Sequence, residues 1–136
     1  MTSTSASTDR RRPEEIIQSL TTIISSAGGE IVFVTCVDAD GFVGDSEAYA
    51  SEDQPKSSLP LELLFSFPQE QGVDTVMVAS RASESLEVIS ESDLQFTREL
   101  IAAGGSEGIE VLDHVLVMNG EYRRLRPMTD LWGRGL

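Results

Sequence analysis

Few side chains in this sequence are of types that do chemistry, and most have a structural use as well. His114 is the single histidine and Cys36 the single cysteine. Cys36 sits inside Ile31 to Val37, an apolar run where a thiol is buried and inert rather than nucleophilic. His114 lies in another apolar run, Ile109 to Met118, where a hydrogen-bonded core imidazole is the expectation. Glu84 and Glu87 offer oxygens of the kind a hard cation takes, but spaced glutamates in an acidic chain are ordinarily just solvated. Ser90-Glu91-Ser92-Asp93 has the spacing of a capping box, a hydroxyl that caps a helix and a carboxylate three residues on.

Bulk properties narrow the function classes. The chain has 136 residues, enough for one domain with its own core, and 40% of them are apolar. Its formal net charge of -13 disfavours non-specific contact with nucleic acid or an anionic membrane. One cysteine makes no internal disulfide. No apolar stretch approaches a membrane span, and the first residues lack the apolar core of a signal peptide, so a soluble cytoplasmic protein is expected.

Residues 1–12 are Ser/Thr-rich without apolar periodicity and read as a disordered tail; Arg10, Arg11 and Arg12 are a short basic run at its end. The domain then spans 13–136. Pro13, Glu14 and Glu15 open a helix whose apolar face is Ile16, Leu20, Ile23, Ile24 and Ala27, ended by Gly28-Gly29. Ile31 to Val37 is a central strand, Asp38 to Gly41 a turn and Phe42 to Ala50 the returning strand. Ser51 to Ser58 is a loop. Leu59 to Gln71 is a helix with Leu61, Leu64 and Phe65 on one side, and Pro68 breaks or kinks its last turn. Val73 to Ala79 is a strand and Ser80 to Ile89 the loop after it. The capped helix has an apolar face of Leu94, Thr97, Leu100 and Ile101, closed by Gly104-Gly105. Ile109 to Met118 and Tyr122 to Leu125 form a hairpin around Asn119-Gly120. The order α-β-β-α-β-α-β-β predicts a mixed α/β (α+β) domain, a mixed central sheet with helices packed on it.

From Glu47 to Leu125 the chain resembles the RadC-like branch of the JAMM (JAB/MPN) metallohydrolases. Gly108-Ile109-Glu110-Val111-Leu112-Asp113-His114-Val115 is similar to that family's G-I-x-V-L-D-H-hydrophobic strand. Ser90-x-x-Asp93-Leu94-x-x-Thr97-Arg98-x-Leu100 is similar to its S-x-x-D-I-x-x-T-R-x-L helix. The resemblance implies a three-layer JAMM/MPN-like fold. It also implies a zinc motif, H-x-H, seven residues, S, two residues, D, with an upstream glutamate as general base and the serine orienting the tetrahedral intermediate.

Laid on this chain, Ser90 and Asp93 fall in register, the histidine positions are Ser80 and Ala82, and the glutamate corresponds to Glu62. Glu62 and Ser90 are thus the family's catalytic positions, without function here. Of the ligand positions Ser80, Ala82 and Asp93, only Asp93 keeps a ligand type, whereas catalytic zinc takes three protein ligands. No metal and no cofactor are therefore expected, although active relatives hold zinc. Whether the chain is an enzyme stays open, with non-catalysis favoured.

The resemblance leaves three functions to weigh. The first is a non-catalytic scaffold or protein-binding module, a pseudoenzyme with a protein partner and no contact with membrane or nucleic acid. The second is a zinc-dependent peptidase or isopeptidase with replaced ligands, and the third a DNA-repair role of the kind attached to RadC proteins. Against the third, Arg123, Arg124 and Arg126 alternate across a strand and form no single patch. Trp132 reads as exposed, either a contact residue or packed on the sheet end.

Overall fold

The computed structural model describes residues 11–27, 29–52 and 55–133. The expected tail falls mostly outside them, but its last two residues are tied to the domain. Arg11 bridges Val43 in antiparallel fashion, and the Arg12 guanidinium lies 4.9 Å from the Phe42 ring centroid.

Helix α1 (Pro13–Ser26) buries Ile17, Leu20, Thr21 and Ile24. The face expected from the sequence, running through Ile16 and Ile23, is rotated from this one, and Ile23 is 48% exposed. Both stripes have helical spacing, and contact with the sheet selects between them. Thr21 enters an apolar stripe because its hydroxyl donates to the Ile17 carbonyl, 2.7 Å away.

Strands β1 (Glu30–Val37) and β2 (Val43–Glu52) form the expected hairpin. Its turn is held by the Asp38 carboxylate, which accepts from the Asp40 and Phe42 amides at 2.9 Å. The segment expected as loop from Ser51 begins as the end of β2 and carries a 3₁₀ turn over Lys56–Ser58.

Helix α2 (Leu61–Gln71) runs through Pro68 without the expected break. Pro68 sits in the last turn, where only one short stretch of helix follows it, and its ring is buried with Leu64 and Phe65.

Strand β3 (Thr75–Arg81) begins and ends two residues later than expected. Ser80, expected in a loop, pairs with Val32 on one side and Leu116 on the other.

Helix α3 (Glu91–Ser106) runs past Gly104 rather than closing there. Gly104 is buried, and a Cβ on it would stand 2.7 Å from the Ile109 carbonyl oxygen. That glycine serves the close approach of helix to strand, which is why a stop signal misreads it.

Strands β4 (Glu110–Met118) and β5 (Glu121–Arg124) are joined by Asn119 and Gly120 at φ 53° and 83°. Two consecutive positive φ values make the type I′ hairpin turn that Asn-Gly favours. A short helix, α4 (Leu125–Met128), follows.

The five strands lie in the order β2-β1-β3-β4-β5. Only β3 and β4 are parallel, and α3 is the crossover that a parallel pair needs. Helix α1 covers one face through Ile17, Leu20 and Ile24 on Met77, Val115 and Val117. Helices α2 and α3 cover the other through Leu64, Phe65, Phe96 and Leu100 on Val34 and Val78. The result is the expected three-layer mixed α/β fold, with β1 and β3 covered on both faces, as their unbroken apolar runs require.

One irregularity in the sheet matters for the site. Along the β3–β4 pairing the register shifts between Val76 and Met77, and β4 carries Leu112 as an extra residue. Strict alternation would turn Val111 and His114 to opposite faces. The bulge lets both face α3, where the His114 ring meets Phe96 edge-on at 5.7 Å.

Candidate site: a buried lysine clasp at the head of helix α3

Ser90 caps α3, its hydroxyl accepting from the Asp93 amide at 3.2 Å. The capping box expected from the sequence is only half made. The Asp93 carboxylate turns away from the cap and into the fold, where it is fully buried. There it accepts from the Ser83 amide at 2.8 Å and from the Ser83 hydroxyl at 2.8 Å. Its third partner is an ammonium, Lys56 Nζ, 2.7 Å from Oδ1.

Lys56 is the one lysine of the chain, and it is 4% exposed. Lysine is almost never buried unless paired. Nζ also donates to the Arg81 carbonyl at 2.5 Å and stands 5.7 Å from the Phe96 ring centroid. The 3₁₀ turn after β2 is thereby stapled to the end of β3 and the head of α3. Burial draws the Lys56 pKa below its ordinary value, and Asp93 offsets this only in part. Burial works to raise the Asp93 pKa, but Lys56 and Ser83 outweigh it and hold the carboxyl below the ordinary range. The 2.7 Å contact is that of an ionised, charge-assisted pair.

The expected ligand positions behind Asp93 are closed. The Ser80 hydroxyl lies 2.7 Å from His114 Nε2, and the Thr97 hydroxyl 2.7 Å from His114 Nδ1. Thr97 gives its one proton to the Asp93 carbonyl at 2.8 Å, so it must accept from Nδ1–H. In the neutral ring Nε2 is then the acceptor, and Ser80 donates to it. Burial pushes the imidazole pKa down to about 3, with the nearby Lys56 charge adding to the shift and Asp93 opposing it. His114 is the satisfied core histidine that its apolar strand predicted. Ala82 presents a buried methyl group to Leu116 and Leu125.

Glu62 stands exposed in the first turn of α2, and among the described residues no hydrogen bond or ion pair joins it to Asp93. Glu84 and Glu87 are exposed in the loop after β3. Among the described residues no three His, Cys, Asp or Glu side chains converge as a metal would need. The family's zinc does not fit the residues present. One position has no donor atom, one donor is spent on an imidazole, and the remaining carboxylate already holds a cation.

Around this site the other singled-out residues take structural roles. The Arg81 side chain leaves on the opposite face, donating to the Ile24 carbonyl at 2.8 Å and to the Ala27 carbonyl. It thus caps α1, whose last turn has no basic residue of its own. Arg124 pairs with the buried Asp113 at 2.8 Å, whereas Arg126 reaches the Leu112 carbonyl at 3.0 Å, so the arginines serve different partners. Asp113 also accepts from the His114 and Arg126 amides at 2.8 and 3.0 Å. Cys36 is buried, and burial followed by the Asp45 charge raises its thiol pKa, as an inert thiol requires. Trp132 is half-buried on the sheet end and donates to the Val111 carbonyl at 2.7 Å. No described helix is long and apolar enough to cross a membrane.

Lys56, Ser83 and the Ser80–His114–Thr97 chain are not evident from the sequence. One signal was available, a solitary lysine in so acidic a chain, but its burial depends on tertiary placement.

These features define a JAB-type domain, and the sequence model of the RadC-like JAB domain matches residues 10–128. The chain belongs to that family. It is 32% identical over 73 residues to a UPF0758 protein of Trichormus variabilis, a match covering 54% of this chain and 30% of the relative. A UPF0758 protein of Thermosynechococcus vestitus is 44% identical over 43 residues, 32% of this chain and 17% of the relative. One from Chloroflexus aggregans is 51% identical over 37 residues, 27% of this chain and 16% of the relative. The chain thus spans a third or less of the curated relatives it matches.

Proposed function

We propose that this RadC-like JAB domain is non-catalytic and acts by binding another protein, as a scaffold or docking module. One observation carries the reading. At the positions where the family would place zinc ligands, every polar side-chain atom present is committed to a neighbour within the chain. Catalysis of the family's type requires three protein ligands and an open coordination position for water. An ion pair and a hydrogen-bonded imidazole leave neither. The charge of -13 and arginines tied to separate acceptors weigh against DNA and so support a protein partner in its place.

The test is zinc content together with hydrolysis. Protein purified without chelator or histidine tag is assayed for metal per chain, then offered zinc and peptide and isopeptide substrates. The expected result is zinc far below stoichiometry and no zinc-dependent cleavage. About one zinc per chain with cleavage abolished by a chelator overturns the reading.

A further inference from the structure

We infer that Lys56 is a tethered cation that has taken over both the charge and the place of the metal ion. On this account the site is closed to divalent ions by an ammonium, not only by the loss of two imidazoles. The inference rests on the non-catalytic reading above and goes beyond it.

Three observations converge. Nζ sits between the Asp93 carboxylate at 2.7 Å and the backbone of the 80–82 segment, through the Arg81 carbonyl at 2.5 Å. Asp93 is one of the family ligand positions, and Arg81 lies in the chain between the other two, Ser80 and Ala82. The carboxylate is fully buried and needs a counter-charge there, since an unpaired charge at such depth is strongly unfavourable. No other lysine exists in the chain, and the only one lies here rather than on the surface, where the residue ordinarily sits.

A covalently attached cation also differs from a bound one in its consequences. It needs no free metal, is not lost to chelators and keeps no open coordination position. It also ties the turn after β2 to β3 and α3. The Ser83 amide and hydroxyl complete the cage around Asp93, giving this carboxylate three donors from two segments.

The inference is tested by restoring the imidazoles with and without the ammonium. Zinc affinity is measured by competition with a chromophoric chelator for the native chain, for S80H/A82H, and for S80H/A82H/K56A. The expected result is no zinc bound by S80H/A82H, and binding at least about 100-fold tighter once Lys56 is also removed, because two charges no longer compete for one carboxylate. Equal zinc binding by both variants overturns the inference, and so does failure of both to bind while folded. Neither outcome touches the non-catalytic reading, which fails only if the native chain binds zinc stoichiometrically and cleaves.

Should the histidine variants not fold, a charge cycle decides. K56M alone is expected to lower Tm by on the order of 10 °C, and K56M/D93N to regain much of that loss, since the buried carboxylate no longer needs a cation. If D93N brings no recovery in the K56M background, Lys56 is not the counter-ion and the inference falls.

Discussion

Acidification should destabilise this fold through one identifiable group, His114. The imidazole is fully buried and hydrogen-bonded on both nitrogens, by Thr97 at Nδ1 and Ser80 at Nε2. Its pKa in the folded protein is about 3, against about 6.5 in an unfolded chain. A depressed histidine pKa means that the unfolded state takes up the proton first. The stability it contributes is therefore whole above pH 6.5 and is lost as pH falls from there towards 3. The loss attributable to His114 is about 1 kcal/mol at pH 5.5 and about 3 kcal/mol at pH 4.5. Asp93 acts in the same direction at lower pH, since its folded pKa lies below the ordinary carboxylate value. His114→Gln removes the first contribution and leaves the second. Urea unfolding at pH 7, 5.5 and 4.5 should show the native chain's advantage over the variant shrinking by those amounts. Because the chain has one histidine, a single imidazole proton resonance reports the titration directly. An imidazole titrating near 6.5 in the folded protein, or a gap that does not change with pH, would refute the argument.

Two further perturbations probe how the site is positioned. Gly104→Ala should cost about 1–2 kcal/mol in urea unfolding despite the better helix propensity of alanine, because the new Cβ meets the Ile109 carbonyl at 2.7 Å. An unchanged or raised stability would show that helix and strand separate without penalty. Arg81→Met should cost about 1 kcal/mol and speed amide exchange in the last turn of α1, whose carbonyls Arg81 caps; unchanged exchange there would mean the cap is dispensable.

The legible part of the fold was what local pattern encodes. The Ile31 to Val37 run, the Asn119-Gly120 turn and the Ser90 cap each announce their own geometry, and they appear where periodicity and turn chemistry put them. The α1 face was misread because two overlapping stripes share Leu20 and Ile24, and only the sheet distinguishes them. The end of β3 was misplaced because Ser80 is polar. Its hydroxyl is admitted to a buried strand only by the His114 ring across the β4 bulge, a partner that no local window contains.

The same limit hid the site. Asp93 was recognised by resemblance and by its capping spacing, yet its carboxylate serves a lysine from a segment that reads as a solvated loop. The residues that decide whether a metal can bind are therefore those with the weakest local signal.

A buried ammonium occupies this site, and because the chain has a single lysine it is directly observable. In ¹⁵N-labelled protein at neutral pH, the Lys56 side-chain ammonium resonance should be visible, protected from solvent exchange, unchanged by added zinc and lost on Asp93→Asn. A resonance broadened away by rapid exchange, or one displaced when zinc is added, would contradict the account.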